Sequence, residues 1–251
     1  MILSSQRNKL KRIMSVKNSI KILYSILFLT ILSCGTSEDK WIEEAKSRLN
    51  QENYTEAKSA IEQALKLNNE SSEAHNLLGV IAYKLEDIEL SYQEYKKAVD
   101  LDASNINAQL NLANMELEKN NWGEAKKILD FLLLNDQNQS EVYLKRGISL
   151  AGLKKVDEAI KDFGKSIELD STNFDAHYNR GNIYFQQEKF SLAIGDFENC
   201  VQLDDKSGKA FYALGLSYFR NNEIEKSCLA LKQARQVGYE DAKAAIDQIC
   251  L

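Results

Sequence analysis

The sequence predicts an all-α protein built from six consecutive helical hairpins. Residues of similar size recur every 34 residues from Glu38 to Asp241. In each 34-residue unit, positions 8 and 20 are small, whereas positions 17 and 24 are large and apolar. Small residues allow two helices to pack closely, and a period of this length is typical of stacked helical hairpins.

The pattern is clearest when the six units are aligned from Glu38. Position 8 is Ala45, Gly79, Ala113, Gly147, Gly181 and Gly215, and position 20 is Ala57, Ser91, Ala125, Ala159, Ala193 and Ser227. Position 17 is Tyr54, Ile88, Trp122, Val156, Phe190 and Ile224, and position 24 is Ile61, Tyr95, Leu129, Phe163, Phe197 and Leu231. We expect the small residues to join the two helices of a unit and the large ones to fill the space between neighbouring units.

This arrangement resembles the tetratricopeptide repeat (TPR) family, whose consensus has small and large residues at these same positions. The resemblance covers residues 38–241 and implies a TPR superhelical solenoid of helix-turn-helix repeats, with a C-terminal capping helix in residues 242–251. The chain contains no proline, although the family usually places one at position 32. We therefore expect less rigid turns between the repeats within the same fold.

Residues 1–33 are similar to the signal peptide of a bacterial lipoprotein. They contain six basic residues and no acidic residue, and their apolar run from Ile22 to Ser33 has 12 residues, fewer than the roughly 17 to 25 that span a bilayer. The lipobox-like sequence Ile31-Leu32-Ser33-Cys34-Gly35 implies a lipid on Cys34 and a short tether in residues 34–37. The alternatives are an ordinary secretory signal with an incidental cysteine, or an uncleaved anchor. A translation start at Met14 gives a shorter basic leader.

The rest of the chain is acidic. Removal of the six basic residues changes the formal net charge from −5 to −5 − 6 = −11, which argues against a nucleic-acid partner. Gly35 stands where an aspartate would retain a lipoprotein at the inner membrane. The resemblance therefore favours a lipid-anchored protein of the outer membrane in a Gram-negative cell envelope, facing either the periplasm or the exterior.

Three cysteines follow Cys34. Cys228 and Cys250 each lie 11 residues from Tyr239, so an antiparallel hairpin around this turn brings them to the same height. We expect a disulfide between them, with two free thiols as the alternative. We interpret Cys200, at position 27, as a buried structural thiol.

No motif in the sequence indicates catalysis, a metal or another cofactor. The chain has no glycine-rich phosphate loop, no Cys/His cluster with zinc spacing and no nucleophile elbow. The two histidines, His75 and His177, both occupy position 4, a packing position in the TPR family. We therefore expect that the protein is not an enzyme and has no metal site.

Two arginines replace the usual leucine at position 7. Arg146 and Arg180 occur in the two repeats whose position 23 is an aspartate, Asp162 and Asp196. Because the two positions change together, we expect structural ion pairs between the helices of each repeat. An anion-binding ladder is the alternative.

The resemblance also implies a binding groove. If the repeats coil as in the TPR family, positions 5, 9 and 12 of the first helices line a concave face. These positions are mostly apolar or aromatic and include two asparagines: Val80, Tyr83, Leu110, Asn114, Leu117, Leu144, Ile148, Tyr178, Asn182, Phe185, Tyr212, Leu216 and Phe219. Such a surface suits an extended peptide or an amphipathic helix.

By its resemblance to TPR lipoproteins, the chain is expected to be a non-enzymatic scaffold or adaptor. It would bind a partner peptide or helix in the groove during envelope protein assembly, as a monomer with its lipid in the membrane. A lipoprotein of type IV pilus biogenesis, which has a similar size, signal and repeat number, is a more specific alternative. A structural solenoid that associates with copies of itself is another.

Overall fold

The computed structural model describes residues 36–250, and every regular element within them is an α-helix, which confirms the predicted fold class. The thirteen helices of this part of the chain are α1 (Thr36–Asn50), α2 (Tyr54–Leu67), α3 (Ser72–Lys84), α4 (Ile88–Leu101), α5 (Ile106–Glu118), α6 (Trp122–Asn135), α7 (Ser140–Gly152), α8 (Val156–Leu169), α9 (Phe174–Gln186), α10 (Phe190–Leu203), α11 (Gly208–Arg220), α12 (Ile224–Gln236) and α13 (Ala242–Ile249). Cys34 and the signal-like segment lie outside the described residues. Across residues 36–250, no helix has the length and apolar character needed to cross a bilayer.

The first helix begins two residues before the predicted repeat boundary, inside the segment interpreted as a tether. Its first turn contains Glu38 and Asp39, and carboxylates are favourable at a helix N-terminus. The chain forms two compact units, with the boundary between Ala108 and Gln109, inside α5.

The helices pair as hairpins, and the turn inside each hairpin has the same backbone conformation. The residue at position 15 has a positive φ of 58° to 62° in all six hairpins: Glu52, Glu86, Asn120, Lys154, Glu188 and Asn222. This left-handed residue ends the first helix, and the next backbone N–H donates back to a carbonyl of that helix, as from Asp87 to Ala82 at 2.9 Å. The 34-residue period of the sequence is therefore also a period of the backbone.

Position 8 of the first helix lies directly against position 24 of the second helix in the same hairpin. A Cβ atom placed on Gly147 would lie 2.7 Å from the ring of Phe163, and one on Gly79 would lie 2.6 Å from the ring of Tyr95. The sequence alone suggested that the residue at position 24 fills the space between neighbouring hairpins. The structure shows that it also packs inside its own hairpin. Gly215 lies equally close to a leucine, Leu231, at 2.7 Å from an added Cβ, and Ala113 belongs to the same buried cluster as Leu129.

Side chains close the turns between hairpins in place of the missing proline. In each of these turns the residue at position 31 accepts a hydrogen bond from the backbone N–H two residues later, at 2.8 to 3.1 Å; the acceptors are Asn68, Asp102, Asp136, Asp170 and Asp204. These are Asx turns, which the short side chains of Asp and Asn form readily.

In two of these turns a hydroxyl adds a second hydrogen bond. The hydroxyl groups of Ser104 and Thr172 donate to Asp102 and Asp170, respectively, at 2.7 Å. Together with the backbone N–H bonds, they hold the pKa of both carboxyls below the ordinary value. The turns are thus defined by hydrogen bonds where the family consensus uses proline.

Two further asparagines tie these turns to the preceding hairpin. Asn105 Nδ2 donates to Ser72 Oγ at 2.9 Å, and the Ser72 hydroxyl donates to the carbonyl of Ala98 at 2.8 Å. Asn173 and Ser140 repeat the first bond at 3.2 Å. The small polar residue at the start of the first helix therefore has a structural role.

The half-buried Arg180 and the buried Asp196 form an ion pair between α9 and α10. Two guanidinium N–H groups donate to the carboxylate at 2.9 and 2.7 Å, and Asp196 is only 3% exposed. His177 Nδ1 lies 3.1 Å from the same carboxylate. Burial by itself raises the pKa of Asp196, but the hydrogen bonds from Arg180 and His177 outweigh it and keep the pKa below its ordinary value.

Arg146 contacts two carboxylates instead of one. Its Nε and Nη2 atoms donate to Asp162 at 2.6 and 2.9 Å, and its Nη1 atom donates to Asp130 of α6 at 2.9 Å. The sequence pattern did not point to Asp130, because it lies at position 25 of the preceding repeat. Arg146 therefore links two hairpins, whereas Arg180 links the helices of one.

Both histidines are buried and hydrogen-bonded, so position 4 is more than a packing position here. His75 Nδ1 lies 2.5 Å from Glu94, and its Nε2 lies 3.0 Å from the carbonyl oxygen of Asn69. His177 has the same arrangement with Asp196 and a backbone carbonyl. Each ring is therefore engaged on both sides, between the second helix and the preceding turn.

We predict that Gly147→Ala lowers the free energy of unfolding by about 1 to 3 kcal/mol, because the new methyl group overlaps the Phe163 ring. Adding Phe163→Leu is expected to recover part of the loss, since Ala113 and Leu129 already combine in this way. Chemical denaturation followed by circular dichroism measures both effects.

Gly195→Ala is the matched control for the Gly147 substitution. A Cβ at Gly195 would meet nothing within 4 Å, so replacing this helical glycine is expected to stabilise the protein by about 0.5 to 1 kcal/mol. Strictly additive losses from Gly147→Ala and Phe163→Leu would contradict the proposed contact.

We predict that Asp196→Leu alone lowers the free energy of unfolding by about 3 to 5 kcal/mol, because it leaves the half-buried Arg180 without its carboxylate. The double variant Arg180→Leu with Asp196→Leu is expected to lose far less. The pKa of Asp196 is lower in the folded state than in the unfolded state. The ionised carboxylate therefore contributes its full stabilisation above the unfolded-state pKa of about 4, and this stabilisation is lost as the pH falls through the folded-state pKa. The stability difference between wild type and double variant should therefore shrink below about pH 4.

Asp162→Leu provides a control within the chain. Arg146 keeps its bond to Asp130 after this change, so the loss is expected to be smaller than for Asp196→Leu. Thermal and denaturant unfolding of the variants tests the set, and equal losses for the Asp196 single and double variants would refute the ion-pair interpretation.

Candidate functional site

A cavity of about 230 Å³ lies between α9, α10, α11 and the turn that precedes α13. Aromatic rings form most of its wall, and one amide side chain faces it. Its lining consists of Tyr178, Asn182, Phe185, Phe197, Tyr212, Ala213, Leu216 and Tyr239.

A second cavity of about 530 Å³ adjoins the first and shares Phe185, Tyr212 and Leu216 with it. It extends toward the C-terminus, where α13 forms the opposite wall. Its other lining residues are Phe219, Arg220, Ala244, Ala245, Gln248 and Ile249. We call the two joined cavities the trough.

Helical spacing explains why these side chains lie together. Tyr212, Leu216 and Phe219 follow one another at intervals of four and three residues along α11, so they share one face of the helix. Tyr178 and Phe185 belong to a similar face of α9. The trough therefore lies between the first helices of two consecutive hairpins.

Tyr239 reaches the trough through a specific turn. Gly238, which precedes it, has a φ of 92° that favours glycine. The Tyr239 side chain packs over Gly208, where an added Cβ would lie 2.6 Å from the tyrosine Cβ, and its ring lies 5.2 Å from that of Tyr212. Tyr239 occupies position 32, where the TPR consensus has proline, and this replacement is the one sequence signal that could have identified it.

The polar groups that line the trough are the tyrosine hydroxyls, the amides of Asn182 and Gln248 and the guanidinium of Arg220. Burial raises the pKa of Tyr178, while a hydrogen bond with Asn182 partly offsets it. Burial also raises the pKa of Tyr239, with a smaller effect from the neighbouring Asp241. Both phenols are therefore protonated near neutral pH and can donate hydrogen bonds. The Lys209 ammonium lies 4.7 Å from the centre of the Tyr178 ring, within the range of a cation–π contact.

A third cavity of about 350 Å³ lies between α7 and α9. It shares Asn182 with the trough and adds two more amide side chains to this surface. It is lined by Ile148, Ala151, Phe163, Asn179, Asn182, Ile183 and Gln186. Amide groups can donate to and accept from a peptide backbone.

The structure brings together part of the predicted groove. The predicted residues that line these cavities are Ile148, Tyr178, Asn182, Phe185, Tyr212, Leu216 and Phe219. Leu110, Leu117 and Leu144 are half-buried against the hydrophobic core, and Asn114 is also half-buried. Val80 and Tyr83 belong to the compact unit that ends at Ala108. The prediction missed Phe197, Ala213, Arg220, Tyr239 and the residues of α13.

The cysteines of the described part of the chain have structural surroundings. Cys228 and Cys250 form a disulfide. Cys200 is buried, its thiol donates to the carbonyl of Phe174 at 3.6 Å, and burial raises its pKa to about 12. This thiol is thus protonated at neutral pH and is a poor nucleophile. Within residues 36–250, no group of His, Cys, Asp and Glu side chains could hold a metal ion.

Solved structures with the same fold include several bacterial repeat proteins. PilF of Pseudomonas aeruginosa is 18% identical with a TM-score of 0.73, over 84% of this chain and 99% of that one. YrrB, described as a TPR protein with an unusual peptide-binding site, is 21% identical with a TM-score of 0.61, over 75% and 98%. MamA of Desulfovibrio magneticus RS-1 is 15% identical with a TM-score of 0.63, over 70% and 99%. At these identities the likeness shows the fold alone.

A search of curated protein sequences finds no significant match. Models described as tetratricopeptide repeat match residues 42–106, 86–147 and 174–207, and a model described as TPR repeat matches residues 147–187. Together they extend from residue 42 to residue 207, in agreement with the helical hairpins and the 34-residue spacing. This chain therefore belongs to the tetratricopeptide repeat family.

Proposed function

We propose that this protein is a non-enzymatic scaffold that binds a segment of a partner protein in the trough. The observation that carries the proposal is the aromatic wall formed by Phe185, Tyr212 and Phe219. Phe185 and Tyr212 line both cavities, and Phe219 lines the larger one. Phe219 is 39% exposed, so part of this wall faces solvent. Aromatic side chains in a concave surface are favourable anchors for a partner.

The chemistry of the trough favours a partner segment with apolar side chains. A cavity of about 230 Å³ can receive one large apolar side chain, and the adjoining cavity can receive its neighbours. Asn182, Asn179 and Gln186 lie beside this path and offer amide groups to the partner's backbone. A peptide-binding site on another TPR protein, YrrB, is consistent with this use of the fold.

The sequence supports a location for this scaffold in the cell envelope. A lipid on Cys34 would tether it to a membrane, with the outer membrane favoured by Gly35, and the partner would then belong to envelope protein assembly. Type IV pilus biogenesis is a narrower version of this function, and self-association of the chain is the competing one. The experiments below separate them.

We expect the double variant Tyr178→Asp with Tyr212→Asp to lose its partner, because an apolar segment bound in the trough would bury two carboxylates without solvation. In-cell crosslinking of the tagged protein, followed by affinity purification and mass spectrometry, measures the capture. Circular dichroism establishes that the variant remains helical.

The control variant carries two aspartates outside the trough. Leu134 and Leu229 are 81% and 63% exposed, so Leu134→Asp with Leu229→Asp changes the net charge equally and should keep the partner. Equal capture by the trough variant would move recognition to another surface. Absence of any partner, together with a molar mass that rises with concentration in light scattering, would favour self-association.

We expect wild-type protein to incorporate a clickable fatty acid in growing cells and to enter the detergent phase on Triton X-114 partitioning. Cys34→Ser should abolish both properties, because the thiol is the attachment atom. Cys200→Ser is the control, since this cysteine is buried in the fold. Equal labelling of wild type and Cys34→Ser, or no labelling of either, would contradict the lipoprotein assignment.

A further inference from the structure

The C-terminal helix α13 forms one wall of the larger cavity. It contributes Ala244, Ala245, Gln248 and Ile249, which face Phe219 and the rest of α11 across the cavity. Two of these four side chains are alanines, so the width of the cavity depends on where α13 is held. The contacts that hold this helix therefore decide whether the trough has a closed or an open end.

Packing alone holds α13 weakly. The helix has eight residues, of which only Ala242 and Ala245 are fully buried, and its two isoleucines, Ile246 and Ile249, are half-buried. Asp241, at the N-cap, makes no side-chain capping bond. Isolated helices of this length are unstable in water, so α13 depends on a further constraint.

The disulfide supplies that constraint. Cys228 lies in the first turns of α12, and Cys250 directly follows the last turn of α13. The bond thus closes the C-terminal end of α13 onto the preceding helix. Both cysteines are half-buried, not fully buried, so a small thiol can reach them.

The other end of α13 has an anchor of its own. The Tyr239 N–H donates to the carbonyl of Ala234 at 2.9 Å, and its side chain packs against Tyr212 and Gly208. The next residue, Glu240, makes an exposed ion pair with Arg235 at 3.1 Å, and exposed pairs contribute little. Release of the helix would therefore begin after Tyr239.

We propose that the Cys228–Cys250 disulfide is a redox latch on the trough. While the bond is intact, α13 forms the wall of the larger cavity. Reduction releases residues 240–250, opens the larger cavity to solvent and leaves the smaller cavity with its Tyr239 wall. Helices α9 to α12 remain folded because their hairpin contacts do not include α13.

The reductant is a dithiol of the thioredoxin type. Its thiolate attacks one sulfur of the disulfide, which breaks the S–S bond and forms a mixed disulfide while the other cysteine leaves as a thiolate. The second thiol of the dithiol then displaces the bound cysteine. The dithiol is oxidised to a disulfide, and Cys228 and Cys250 each end as a thiol carrying one of its two protons.

Only the effect of the latch on partner binding rests on the proposed function. A partner that spans α11 and α13 would be bound by the oxidised protein and released on reduction. The structural claim itself needs no partner. It can therefore fail or hold independently of the binding experiments.

Hydrogen–deuterium exchange and hydroxyl-radical footprinting of the purified protein test the latch, before and after treatment with dithiothreitol. We expect amides of residues 242–249 to exchange at least tenfold faster after reduction, with those of α12 unchanged. Oxidation of Phe219 by hydroxyl radicals should rise at least twofold, whereas that of Tyr239 should not change. The double variant Cys228→Ser with Cys250→Ser should show the same behaviour without reductant.

Cys200→Ser controls for the third cysteine of the fold, and this variant should respond to dithiothreitol as the wild type does. Unchanged protection of α13 after reduction would overturn the latch. A loss of protection in α11 and α12 together with α13 would also overturn it, because the disulfide would then support the whole end of the array. Partner capture by the trough could persist in both cases, which keeps the two proposals distinguishable.

Discussion

The close contact between position 8 and position 24 of each hairpin is the constraint on which the rest of the structure depends. Where position 8 is glycine, as at Gly147, the ring of Phe163 lies against the helix backbone. At Gly215 the opposing residue is Leu231, which lies equally close, and Ala113 shares a buried cluster with Leu129. The two positions together limit how closely the two helices of a hairpin approach each other.

Polar groups maintain this geometry at places where hydrophobic packing cannot. The turns between hairpins lack proline, and Asp or Asn at position 31 closes them through backbone N–H groups. The half-buried guanidinium groups of Arg146 and Arg180 each contact a buried carboxylate on the second helix of the same hairpin. Such pairs add little net stability, but they penalise any arrangement that separates the partners. They therefore specify how the two helices are aligned.

The trough follows from the residues of the last two hairpins. Tyr178, Phe185 and Tyr212 are partly buried and partly exposed, so the same rings support the fold and line the candidate site. The C-terminal turn adds Tyr239, and the disulfide-linked α13 adds the opposite wall. The proposed use of the trough agrees with the general use of TPR proteins as interaction scaffolds.

Sequence alone determined the helical hairpins, their register and the family, because the pattern of small and large residues repeats every 34 residues and each contact inside a hairpin joins residues at a constant separation. Through the resemblance to the TPR family, it also pointed to Tyr178, Asn182 and Tyr212. Only the tertiary structure decided that Asp130 joins Arg146 and that Tyr239 and α13 complete the trough. These contacts join residues of different hairpins or follow an irregular turn, so they depend on how successive hairpins pack, and no periodic pattern records that.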